Sequence, residues 1–88
     1  MQVIFLKRFS KDLDSISNRF VKEALESFIG EVELASSLKH HSNIKKLAGH
    51  KNAFRLRIGD YRVGLFISGS TVEFVRILHR KDIYKVFP

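Results

Sequence analysis

The sequence predicts an α+β domain with a helical hairpin packed on one face of a twisted, antiparallel-rich sheet, in the order β-α-α-β-β-β. Two observations predict this. Apolar residues recur at helical spacing through the first third of the chain, and from Ala53 onward the period changes from 3.6 to 2. A third observation joins them: the apolar start around residues 3–6 is too short to bury itself and needs the C-terminal strands as partners.

The 88 residues suffice for one domain, read as 1–88. A chain of this size buries roughly 60–65% of its unfolded surface, so it builds a single modest core. With 44% hydrophobic residues, eight Phe among them, the composition can fill that core and argues against disorder. The absence of cysteine removes disulfides and thiolate metal sites and fits a cytoplasmic location. The start, Met1-Gln2-Val3-Ile4-Phe5-Leu6-Lys7, has four apolar residues in a row before charge returns, too few for a secretory segment or a membrane span.

Residues 3–6 read as the first strand. Ser10 is placed to cap a helix over 11–16, with Asp12 in the first turn where it suits the helix dipole. Ser17-Asn18 breaks and recaps the chain. A second helix over 19–35 follows, its Val21, Ala24, Leu25, Phe28 and Val32 forming one apolar stripe opposite Lys22, Glu23, Glu26 and Glu33. Residues 36–52 are polar and irregular, with a helical turn or a brief strand at 44–47. Phe54, Leu56 and Ile58 then alternate with Arg55 and Arg57, Gly59-Asp60 turns the chain, and strands over 61–67 and 71–78 complete a meander around Ser68-Gly69-Ser70. The tail, 80–88, has room only for a turn of helix or a small strand.

Charge falls unevenly on this frame. Sixteen Lys and Arg against nine Asp and Glu leave +7, a field that favours polyanionic partners. If Gly59-Asp60 is a two-residue hairpin loop, Ile58 faces Tyr61, Arg57 faces Arg62 and Arg55 faces Gly64. Period 2 then sets Arg55, Arg57 and Arg62 together on the face away from the helices. Opposed like charges destabilise a sheet, so such a set points to an anion site, with Gly64 leaving bare backbone for a phosphate. The alternative is outward arginines splayed into water. Matching Val72, Phe74 and Leu78 to the core would bring His79 onto the arginine face, while Arg76 would then need an edge position or a carboxylate partner. Tyr84 either stacks on a base or moves a proton, or it tucks the C-terminus down beside Val86 and Phe87. His40, His41 and His50 are a weak metal set, lacking both cysteine and helical H-x-x-x-H spacing. The sequence has no phosphate-cradling glycine loop with its lysine, no serine elbow and no cysteine nucleophile, and no metal or cofactor is expected.

The stretch Leu47-Ala48-Gly49-His50-Lys51-Asn52-Ala53-Phe54-Arg55-Leu56-Arg57-Ile58-Gly59-Asp60-Tyr61-Arg62-Val63 resembles the K-L-x-G…Y-R-x-R-x-G-x-Y-R signature of the RelE/ParE toxin superfamily. His79-Arg80-Lys81-Asp82-Ile83-Tyr84-Lys85 is similar to that family's closing G-H-R-x-x-V-Y-R pattern. With the N-terminal strand and helical hairpin, the resemblance covers essentially the whole chain and implies a RelE-like fold.

Resemblance to the RelE branch implies the toxin of a type II toxin–antitoxin system, a ribosome-dependent, metal-independent mRNA endonuclease held in check by an acidic antitoxin protein. Its chemistry would be attack of the ribose 2′-hydroxyl on the adjacent phosphate, which needs a base, cations for the developing charge and an acid for the leaving oxygen. Position by position, Arg55, Arg57, Arg62 and Arg80 match the family's cationic set, Tyr84 its C-terminal tyrosine and His79 the histidine many members have before the last of these arginines. The resemblance thus implies Arg62, His79, Arg80 and Tyr84 as catalytic and Arg55, Arg57, Lys51 and Lys81 as RNA-phosphate-binding. The best-known RelE pattern has lysines where Arg55 and Arg57 stand. Because arginine does not give up its proton, the base would fall to His79 first and Tyr84 second. The alternatives are a ParE-like inhibitor of DNA gyrase that does not cleave RNA, and an inactive toxin-fold binding protein.

Overall fold

In the computed structural model, which describes residues 1–38 and 41–88, the chain runs β1 (Gln2–Phe5), α1 (Lys7–Asp14), α2 (Arg19–Leu34), β2 (Ile44–Lys46), β3 (Ala53–Ile58), β4 (Tyr61–Ser68), β5 (Thr71–His79) and α3 (Ile83–Val86). The α+β class stands, with two additions to the expected order. Residues 44–46 form a true strand because Ile44, half-buried, pairs with Leu56. The tail closes a helical turn in which the Phe87 N–H donates to the Ile83 carbonyl at 2.9 Å.

Helix α1 begins earlier than Ser10 would have it. The Leu6 N–H still donates to the Phe74 carbonyl (3.0 Å), and the Ser10 N–H donates back to Leu6 (3.2 Å), so strand passes into helix without a linker. Leu6 occupies the capping position with no side-chain bond, and Ser10 lies inside the helix. Starting here turns Phe9 into the core, where it is 2% exposed. At α2 the expected cap is present: Asn18 Oδ1 accepts from the Val21 N–H at 3.1 Å, as the first-turn amides of a helix require. At its other end the Met1 α-amino group donates to the Val32 and Ala35 carbonyls (3.1 and 2.7 Å), a cation against the negative end of the helix dipole.

The strands form one sheet in the order β1-β5-β4-β3-β2, antiparallel except for the β1–β5 pair. Against one face the helices bury Val21, Leu25, Phe28 and Val32 on the inward residues of β3, β4 and β5. Phe74 lies at the centre of this core, with the rings of Phe5, Phe9 and Phe28 at 5.1, 5.4 and 6.0 Å, so β1, β5 and both long helices meet on one side chain. Among the described residues no helix is long and apolar enough to cross a membrane.

The second face is less open than the helical pair alone would leave it. Helix α3 crosses it, and Ile83 and Phe87 join Ala53 in a second buried cluster packed by Leu47, Phe66, Val75 and Leu78. Leu78 joins this second cluster because β5 carries a bulge. Leu65 pairs with Phe74 but Gly64 pairs with Arg76, so Val75 is the extra residue. The slip resets the alternation: Ile77 turns into the helix-side core, and Leu78, expected there, turns to the second face.

Arg76 finds its carboxylate at the bulge. Its Nε and Nη2 donate to Asp12 Oδ2 and Oδ1 at 2.7 and 3.1 Å, and the Ile77 N–H donates to the same Oδ2 at 3.1 Å. Asp12 thus binds α1 to the edge of β5 beyond the point where β1 stops pairing. The hydrogen bond to Asp12, chiefly, and the charge of that carboxylate raise the Arg76 pKa above its ordinary value, against the opposing effect of burial. While the pair with the Asp12 carboxylate is intact, the raised pKa contributes stability that is lost only in strong alkali. Both side chains are largely buried, at 16% and 11% exposed. Asp12→Ala would leave a desolvated guanidinium and a bare amide, and the expected cost is about 3 kcal/mol in denaturant unfolding. The double variant Asp12→Leu/Arg76→Met should recover most of that loss; a single variant as stable as the parent would show that the pair does not hold α1.

Candidate functional site

The β3–β4 hairpin has the two-residue turn that its sequence suggests, with Gly59 at φ 56°. Ile58 pairs with Tyr61, Arg57 with Arg62 and Arg55 with Gly64. Arg55, Arg57 and Arg62 therefore share the face away from α1 and α2. Lys45 pairs with Arg55 and adds a fourth cation to that face, one that the polar composition of residues 36–52 hid. The signal was present in the Ile44-Lys45-Lys46 order, which sends its middle residue to the arginine side once Ile44 is turned inward.

None of the ion pairs among the described residues involves Lys45, Arg55, Arg57 or Arg62. Arg62 folds back on the turn, its Nη1 donating to the Gly59 and Tyr61 carbonyls at 2.8 and 2.9 Å. Those bonds fix the guanidinium plane while leaving Nε and Nη2 for a ligand. Arg80 arrives at the same turn from β5. Its backbone N–H donates to the Asp60 carbonyl (2.8 Å), and its Nε lies 3.9 Å from Asp60 Oδ1 with both side chains exposed. So loose a surface pair yields readily to a phosphate, with which arginine can form two parallel bonds.

The remaining candidates divide between two sides of the sheet. Tyr84 lies on α3, which packs on the same sheet face as the arginines, and is 52% exposed; it is Ile83 and Phe87 that tuck the tail down, and Val86 is exposed beside it. His79 does not join the arginines. The bulge sends it to the helix side, where its ring stands 5.8 Å from that of Tyr61 in a cleft of about 240 Å³ shared with Asp12, Ser15 and Asp82. Its Nδ1 accepts the Lys81 N–H at 3.1 Å, so the neutral ring carries its proton on Nε2 and that lone pair is already taken. Lys81 and Lys51 are exposed, Lys51 in the turn before β3.

Gly64 does not offer backbone to a phosphate. The Phe87 ring lies on it, so close that a Cβ at Gly64 would stand 2.6 Å from the Phe87 Cγ. The histidines of the 36–52 segment also separate. His41 is held structurally, with Nε2 3.2 Å from Glu31 Oε2, Nδ1 accepting the Asn43 N–H and the ring edge-on to Phe28. His50 is exposed in the turn before β3, and His40 lies outside the described residues.

Chemically, this face gathers fixed positive charge, an arrangement suited to a polyanion and to negative charge that develops on it. The cations come at a structural cost, because Arg57 and Arg62 oppose each other across the strands without a carboxylate between them. Arg57→Thr is expected to raise stability by about 0.5 kcal/mol in thermal unfolding while weakening binding of single-stranded RNA and flattening its salt dependence. Unchanged RNA binding at low salt would remove Arg57 from the interface.

Known proteins share this fold. The chain matches the family described as the ParE toxin of the type II toxin–antitoxin system parDE over residues 3–84. It is 39% identical to toxin RelE3 of Methanocaldococcus jannaschii over 89 residues, covering all of both chains. The crystal structure of a RelB–RelE antitoxin–toxin complex from Methanococcus jannaschii superposes with a TM-score of 0.83 at 38% identity, over 97% of this chain and 99% of that one. The archaeal RelE–RelB complex of Pyrococcus horikoshii OT3 shares the fold, with a TM-score of 0.69 at 24% identity over 90% and 93% of the two chains.

Proposed function

The chain belongs to the ParE toxin family of type II toxin–antitoxin systems, and from that premise we propose that it is a toxin that cuts messenger RNA on the ribosome. The observation that carries the proposal is the face bearing Lys45, Arg55, Arg57 and Arg62, none of them in an ion pair among the described residues, with Arg80 meeting the same hairpin turn and α3 packed on the same face. Structural relatives solved as complexes of a toxin with RelB support a RelB-like antitoxin as its partner.

In the proposed reaction the ribose 2′-hydroxyl gives up its proton as its oxygen attacks the adjacent phosphorus, and the 5′-oxygen of the next nucleotide leaves and takes up a proton, so that a 2′,3′-cyclic phosphate results. Arg62 and Arg80 hold the phosphate oxygens as charge builds on them, and Arg55, Arg57 and Lys45, with Lys51 and Lys81 further out, hold the flanking backbone. Electrostatic stabilisation of this kind is commonly worth about 3–4 kcal/mol per donor. Arginine at positions 55 and 57 cannot accept the 2′-hydroxyl proton. Tyr84, exposed on the arginine side, is the better placed of the two proton-transfer candidates, because His79 lies across the sheet with Nδ1 engaged. His79 then serves to shape the end of β5, from which Arg80 departs.

That same engagement of His79 favours one competing reading, in which the basic face binds a protein target such as DNA gyrase and cuts nothing. Induction in cells followed by 5′-end mapping of transcripts separates the two. Codon-phased cuts that disappear in Arg62→Ala and Arg80→Ala, with activity reduced by at least 100-fold, are expected for the nuclease. Gyrase-linked DNA breaks with intact message would replace that reading by the other.

The acidic partner is expected to associate faster at low salt, because a +7 surface steers an anionic segment from a distance. Stopped-flow association between 50 and 300 mM salt checks this, and an on-rate indifferent to salt would mean that the partner docks away from the basic face.

A further inference from the structure

The second face contains one contact that phosphate binding does not use, the ring of Phe87 lying on Gly64. A Cβ at position 64 would stand 2.6 Å from Phe87 Cγ and 2.8 Å from both Cδ atoms, distances that side-chain carbons do not adopt. The ring also packs on Phe66, with centroids 5.3 Å apart, and is 2% exposed. Gly64 is thus the floor of a slot that only a residue without a side chain can form.

Helix α3 needs this slot. Four residues make too little helix to stand alone, so its orientation comes from what it buries. Ile83 and Phe87, four residues apart, are its two buried anchors; Tyr84, Lys85 and Val86 are exposed between them. With one anchor the turn could pivot about Ile83, and with two it cannot. We infer that Phe87 is a positioning residue: seated over Gly64, it fixes the placement of α3, and with it Tyr84, on the sheet face that carries the arginines. The inference rests on the role proposed above for Tyr84, and it adds a residue that lies outside both signature motifs and carries no group able to do chemistry.

The test measures single-turnover cleavage of messenger RNA on programmed ribosomes, with thermal unfolding of each variant as a control on folding. Tyr84→Phe supplies the reference loss. If Phe87 acts through Tyr84, Phe87→Ala lowers the maximal rate about 10–100-fold with half-saturation little changed. In the Tyr84→Phe background the same change then costs less than about 3-fold further, because the two residues act as one unit.

Gly64→Ala approaches the contact from the other side, since the new methyl must displace the ring. It is expected to lose a similar 10–100-fold, and Gly64→Ala/Phe87→Leu is expected to recover a good part of that loss. This rescue also guards against misreading a folding defect in Phe87→Ala. Losses that multiply independently of Tyr84, or no recovery by the smaller side chain, would overturn the inference while leaving the nuclease intact. A silent Tyr84→Phe in an enzyme that still requires Arg62 and Arg80 would overturn the role of Tyr84 and this inference with it, whereas a parent inactive on programmed ribosomes would overturn the nuclease reading and the inference together.

Discussion

Much of this architecture depends on one carboxylate at the edge of the sheet. Where β1 ends, the backbone of β5 would face water with open donors, and the bulge at Val75 adds an irregularity to the same stretch. Asp12 meets both needs, taking the Ile77 amide and the Arg76 guanidinium on its two oxygens. A short helix with little apolar surface of its own is thereby fixed against the longest strand. The bulge, held in this way, decides which side chains of β5 look towards which face from Val75 to the end of the strand.

The functional geometry follows from that decision. Without the bulge, Leu78 would enter the helix-side core and His79 would lie among the arginines. With it, Leu78 joins Val75, Phe66 and Ala53 beneath α3, and His79 is carried to the far side beside Tyr61. The second face therefore has an apolar half that seats α3 and a basic half that remains open. The exposed phenol of Tyr84 belongs to the helix that joins them.

The basic half is arranged at some expense to stability. Arg57 and Arg62 oppose each other directly, Lys45 opposes Arg55, and the carboxylate nearest the turn, Asp60, is exposed and only loosely placed on Arg80. A sheet built for stability alone would alternate the signs of such pairs. Concentrated like charge is what a phosphate backbone, or an acidic antitoxin segment that competes for the same face, would reward.

By itself the sequence determined the second helix, the meander and the sharing of a face by Arg55, Arg57 and Arg62, because these follow from local periodicity and a two-residue turn at Gly59-Asp60. Asn18 as a cap was legible for the same reason. Tertiary structure decided the side taken by His79, the partner of Arg76, the membership of Lys45 and the use of Gly64. Each of these depends on a contact between residues distant in the chain: Asp12 with Arg76, Lys45 with Arg55, Phe87 with Gly64. Alternation along β5 registered the bulge only as a misplaced Arg76, since one extra residue preserves the pattern on either side of it and changes which face each half is on.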